Sequence, residues 1–139
     1  MKFEAKLSAA LERLATTGIR RSNFSPPMHR LLWRLGAQIP PPHFASFKAN
    51  FLLTGVWFGV AWGALMWFFR WASQSMPLAN ALGTAALAGI LFGLSMAFYY
   101  RYGARKNALP SWEDFAPPSE VQSTQPTVPA DGPASRARR

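Results

Sequence analysis

The sequence predicts an all-α fold: an integral membrane helical hairpin of two transmembrane helices, preceded by two short amphipathic helices and followed by a disordered tail. Three observations carry that prediction. Two long runs, Ala49 to Phe69 and Trp71 to Tyr100, contain no charged residue. The stretch before them repeats apolar residues at helical spacing. From Ala116 onward the composition changes to Pro, Ser, Thr, Gln and Ala. Four regions follow: residues 1–47, 48–101, 102–115 and 116–139.

The overall numbers conceal this segregation. Half of the 139 residues are hydrophobic, yet the mean hydropathy is only +0.01. The charged share of 15% lies below the roughly one quarter usual in soluble domains. The net charge of +9 arises because 15 Lys and Arg face only 6 Asp and Glu. Such a balance points to nucleic acid, an anionic surface or an acidic partner. The apolar runs beside the basic residues favour the membrane surface. There is no cysteine, so disulfides, thiolate nucleophiles and cysteine-zinc sites are excluded.

The first helix is expected over residues 3–17. Phe3, Leu7, Ala10, Leu11 and Leu14 share one face, and Gly18 is a stop. That face either packs on the next helix or lies on a membrane or partner. Ser25 before Pro26 and Pro27 signals a second start. This helix runs to Leu35 and ends at Gly36, with Met28, Leu31, Leu32 and Leu35 as its apolar stripe. Arg30 and Arg34 occupy another face, and Trp33 suits an interface. Pro40, Pro41 and Pro42 form a stiff extended connector that sets the angle to the first span.

The first span is placed at about 49–69. At a rise of ~1.5 Å per residue it is roughly 31 Å long, close to a hydrocarbon core of about 30 Å. Ser73, Gln74 and Ser75 before Pro77 read as the turn, and the second span follows at about 78–99. Lys and Arg lie before the first span and after the second, with only Arg70 between. The positive-inside rule therefore puts both termini in the cytoplasm. Trp67 and Trp71 mark the outer interface; Tyr99, Tyr100 and Tyr102 mark the inner one.

Small residues recur every fourth position in both spans: Gly55, Gly59 and Gly63 in the first, and Ala81, Ala85, Gly89, Gly93 and Ala97 in the second. Such stripes let two backbones approach closely, where lipid supplies no hydrophobic drive. In an antiparallel hairpin, Gly59 is expected beside Gly89, Gly55 beside Gly93 and Gly63 beside Ala85. Trp57, Phe58, Trp62 and Phe68 are then expected to face lipid or a partner. The same stripes serve equally to join copies of the chain.

The run Arg21-Ser22-Asn23-Phe24-Ser25-Pro26-Pro27-Met28-His29-Arg30-Leu31-Leu32-Trp33-Arg34-Leu35-Gly36, followed by Pro40-Pro41-Pro42-His43-Phe44, resembles the signature of a family of small bacterial two-span membrane proteins. That family is catalogued only as a domain of unknown function. The resemblance extends over about residues 5–115, including Leu109-Pro110-Ser111-Trp112. It implies a bacterial inner membrane protein and brings no activity and no assigned site residues.

Few residues suit chemistry. His29 and His43 are the only histidines. A metal site needs three or four ligands, and no cysteine or nearby carboxylate joins them, so both read as surface or interfacial side chains. Glu113 and Asp114 are adjacent and point apart. The glycines lie in apolar helices rather than in a phosphate loop. No ionisable group sits at mid-depth in either span, which argues against a proton relay. Nucleic-acid binding lacks a recognised fold. The expectation is a non-enzymatic membrane interaction or adaptor protein without cofactor or metal. Its partners are the bilayer and another membrane protein or a second copy. The alternative is a homo-oligomeric pore or a lipid-binding protein. Contact with anionic head groups or a partner is assigned to Arg20, Arg21, His29, Arg30 and Arg34.

Overall fold

The computed structural model describes residues 2–118 and residue 120. The disordered tail expected over 116–139 lies, beyond residue 120, outside the described residues. Within its start, Pro117 is still buried. The described residues form helices joined by turns, with no strand among them.

α1 spans Lys2–Ala15. Its buried residues, Ala10 and Leu14, are one turn apart and sit on the expected face. The hydroxyls of Thr16 and Thr17 donate to the carbonyls of Arg13 and Leu14, which close the last turn. Gly18 then takes φ +77°, the left-handed backbone that a side chain disfavours.

A short helix not anticipated from sequence follows. α2, Arg21–Phe24, is one turn long and buries Phe24. α3 is Pro27–Arg34. Its N-cap is Pro26, not Ser25; Ser25 instead closes α2, donating its backbone N–H to the Arg21 carbonyl. Pro27 at the first position loses no hydrogen bond, because that N–H has no partner inside a helix. Leu35 caps α3, and Gly36 carries φ +85°. The expected apolar stripe is split: Met28 and Leu32 are half-buried toward α4, Leu31 and Leu35 are exposed, and the residue α3 buries is His29.

α4, Phe47–Met66, starts on Ser46, whose hydroxyl accepts the Ala49 N–H at 3.2 Å. It continues into a π-helical turn, Trp67–Trp71, in which the Ala72 N–H donates to the Trp67 carbonyl. The wider turn swings Trp71 inward. There it is buried edge-on to Trp62 at 5.5 Å between centroids. A turn through Met76 leads to α5, Leu78–Lys106.

α4 and α5 pack as an antiparallel hairpin. Both are long and apolar enough to cross a membrane: 25 residues over Phe47–Trp71 and 29 over Leu78–Lys106. At ~1.5 Å per residue, α5 is roughly 43 Å long and overshoots a core of about 30 Å. Its surplus, Tyr99 to Lys106, is the post on which α2 and the proline loop dock, through Asn23 and His43. Ala10, Leu14, Phe24 and Phe44 form the small core there, with Leu109, Trp112 and Phe115 packed against it.

Candidate functional site

The seam of the hairpin consists of small residues in backbone contact. A Cβ on Gly55 would lie 2.9 Å from the Gly89 carbonyl oxygen and 3.5 Å from the Gly93 Cα. One on Gly59 would meet the Ala85 oxygen at 3.1 Å and the Gly89 Cα at 3.4 Å, and one on Gly63 would meet the Ala85 Cβ. Ala81, Gly89, Gly93 and Ala97 are buried. Two aromatic residues depart from the expected outward placement. Phe58 stacks on Phe92 of α5 at 4.1 Å and on Trp62 at 6.3 Å, so both cover the seam rather than project from it. Trp57 and Phe68 are exposed.

The other concentration of specific contacts lies at the open end of the hairpin, opposite the turn. The three prolines build it. Pro41 and Pro42 are fully buried, and the Pro41 carbonyl accepts from the N–H groups of Phe44 and Ala45. The segment is thus a buried turn, not the extended spacer that its composition predicts. Asn50, in the first turns of α4, donates its Nδ2 to the Pro42 carbonyl at 2.7 Å. The Trp33 indole donates to the Ile39 carbonyl at 2.8 Å. Loop, α3 and α4 are tied together by these bonds.

His43 is inserted by that turn against the end of α5. Its ring is edge-on to Tyr100 at 5.2 Å and to Tyr99 at 6.4 Å. A Cβ at Gly103 would come within 3.0 Å of the imidazole, so the glycine leaves the space that the ring fills. Asn23 donates its Nδ2 to the Tyr99 hydroxyl at 2.8 Å, which joins α2 to the same post. Phe44 turns the other way, onto Phe115 at 4.9 Å and Trp112 at 6.2 Å, while its carbonyl accepts the Trp112 N–H. Lys6 of α1 lies over the Trp112 ring at 4.9 Å.

The histidines are therefore not surface groups. His29 and His43 are 1% and 3% exposed, and Nδ1 of each has no hydrogen-bond partner among the described residues. Burial disfavours the imidazolium and lowers both pKa values from 6.5 to about 4, so both rings are neutral at physiological pH. His29 packs edge-on to Trp33 at 5.8 Å and lines a crevice between α3 and α4 with Asn50 and Trp57. This corrects the assignment of His29 to an exposed head-group contact. Arg20, Arg21, Arg30 and Arg34 are exposed. Arg30 and Arg34 share a crevice of about 460 Å³ with Phe3, Glu4 and Leu7 of α1.

Sequence reasoning missed the role of His43, Asn23 and Tyr99, because their partners lie far away along the chain. A polar Asn50 at the mouth of an apolar helix was the available signal. It is a tie to the preceding loop rather than to the other span. Two further basic residues, Arg101 and Arg105, stand exposed on the last turns of α5 beside Phe47 and Phe98. Among the described residues, no group of three His, Cys, Asp or Glu is placed to hold a metal ion.

A family model described as a family of unknown function (DUF6404) matches residues 1–115. The matched region ends at Phe115, the last aromatic residue packed on the cap. No curated protein and no solved structure matches the chain.

Proposed function

The chain belongs to DUF6404, a family of unknown function, and we propose that it is a small inner membrane protein whose hairpin anchors a cytoplasmic interaction cap. The observation that carries this reading is an inverted distribution of side chains along α4 and α5. The seam is glycine and alanine, whereas Leu52, Val56, Val60, Leu82 and Leu91 are exposed around it. Phe68 and Phe69 are each 80% exposed. Water does not tolerate so continuous an apolar surface on a monomer; hydrocarbon does. The gathering of Lys48, Arg101, Arg105 and Lys106 at one end supports a cytoplasmic side for that end and the cap by the positive-inside rule.

The cap supports the adaptor part of the reading. His43 docks on α5, while Phe24, Phe44 and Trp112 join α1, α2, the proline loop and the segment after α5 in one small core, giving a fixed shape to a basic surface. The crevice between α1 and α3, with Arg30 and Arg34 on its rim, is the surface offered to a partner. Affinity capture from detergent-solubilised membranes, with the chain and its Arg30→Glu/Arg34→Glu variant compared by quantitative mass spectrometry, tests this. A stoichiometric partner lost in the variant is expected. A partner set indifferent to the charge reversal contradicts it.

A second reading, a homo-oligomer, has one specific support. The seam is open on one side as a groove of about 800 Å³, lined by Gly59, Gly63 and Ala85 and flanked by Val56, Val60 and Leu82. Disulfide formation between chains carrying Val60→Cys in membranes favours that reading; a monomer under oxidation counts against it.

A further inference from the structure

We propose that Arg101 and Arg105 hold the phosphate of an anionic glycerophospholipid, with Phe47 and Phe98 forming the wall for its acyl chain. The inference rests on the membrane reading above and adds a defined ligand site to it. The two arginines are four residues apart on α5, so they stand on one face. Between them and the start of α4 lies a groove of about 560 Å³, lined by Phe47, Phe98, Arg101, Tyr102 and Arg105. The Phe47 and Phe98 rings meet edge to face at 5.0 Å. The Arg101 guanidinium sits over the Phe47 ring, 5.9 Å from its centroid. That contact places the guanidinium at the edge of the groove.

Depth fits the ligand. Arg101 is the first charged residue after the run Trp71 to Tyr100, and the Phe47–Phe98 contact brings the first turn of α4 level with it. The guanidinium groups therefore reach head-group level while the rings stay at the edge of the hydrocarbon. Among the described residues no ion pair engages either arginine. Glu113 lines an adjoining crevice that includes the same two arginines, but not the groove of Phe47 and Phe98. Positive charge at a helix C-terminus and on the cytoplasmic side explains the sign of these residues. It does not explain the aromatic pair held beneath them.

Native mass spectrometry of the full chain from mixed micelles of phosphatidylcholine and phosphatidylglycerol reads the site directly. Saturable retention of phosphatidylglycerol over phosphatidylcholine is expected. Arg101→Gln/Arg105→Gln should weaken it roughly tenfold, the scale of losing charge-assisted contacts. Lys2→Gln/Arg13→Gln, which removes the same charge from the exposed face of α1, should leave retention unchanged. Circular dichroism of each variant confirms that the helices persist, and Arg101→Lys/Arg105→Lys should retain part of the preference. Equal loss in both Gln variants means a diffuse charge effect and overturns the site while leaving the membrane reading intact. Displacement by inorganic phosphate alone means a free-anion site and overturns the lipid assignment. Protein that does not partition into micelles or bilayers at all refutes the membrane reading itself.

Discussion

A Cβ at Gly93 would lie 2.6 Å from the Phe51 carbonyl oxygen, and one at Gly89 would lie 2.6 Å from that of Gly55. The obstructing atoms are backbone, so relief requires the helices to separate. Gly93→Ala should therefore destabilise the hairpin by about 1–3 kcal/mol, the usual cost of overpacking. Gly83 has nothing within 4 Å of its missing Cβ, and Gly83→Ala should be neutral in the same reversible unfolding assay in detergent. Equal effects at the two sites would mean that helix propensity, not the seam, is being measured. At the open end, Asn50→Ala leaves the buried Pro42 carbonyl without its donor and should cost about 1–3 kcal/mol. The buried histidines make stability depend on pH. Unfolded, each takes a proton near 6.5; folded, each resists until about 4. The unfolded chain thus binds more protons between those values, and stability falls as pH drops through that window. Above 6.5 these two groups contribute no slope. Replacing both by Gln should flatten thermal unfolding curves between pH 6.5 and about 4; an unchanged slope would assign it to the carboxylates.

Among the elements, the long helices and the first amphipathic one were legible because their signals are local and periodic. The charge-free runs, the fourfold spacing of small residues and the face of Ala10 and Leu14 all repeat within a few turns. α2 was not legible, since four residues, Arg-Ser-Asn-Phe, carry no period. Its presence moved the start of α3 from Ser25 to Pro26. The burial of His29 and His43 was hidden for another reason. It depends on Trp33, Tyr99 and Tyr100, and on a proline turn whose composition alone suggests an extended strut. The segment after α5 is held chiefly by the Trp112 ring, packed on Phe3 and Phe44 with Lys6 over its face, beside a backbone N–H bond to the Phe44 carbonyl that an alanine would keep. Trp112→Ala should free residues 107–115 and speed tryptic cleavage at Lys106. Cleavage no faster than in the unmodified chain would place the anchor in Leu109 or Phe115 instead.

On the scale of the whole molecule, the two ends of the hairpin differ in kind. One is a short aromatic turn with a single basic residue, Arg70; the other carries the surplus length of α5, the basic residues and every helix of the cap. On the membrane reading proposed above, that asymmetry matches the excess of Lys and Arg that the cytoplasmic side of a spanning hairpin carries. Because the chain has no cysteine, single Cys substitutions can report the side on which each end lies. The decisive measurement is labelling of Ser8→Cys, Gln74→Cys and Ser111→Cys with a membrane-impermeant maleimide, before and after permeabilisation of cells. A membrane-crossing hairpin with its cap in the cytoplasm gives Gln74→Cys labelled in intact cells and the other two labelled only after permeabilisation. Equal labelling of all three in intact cells, or of none until lysis, would contradict it.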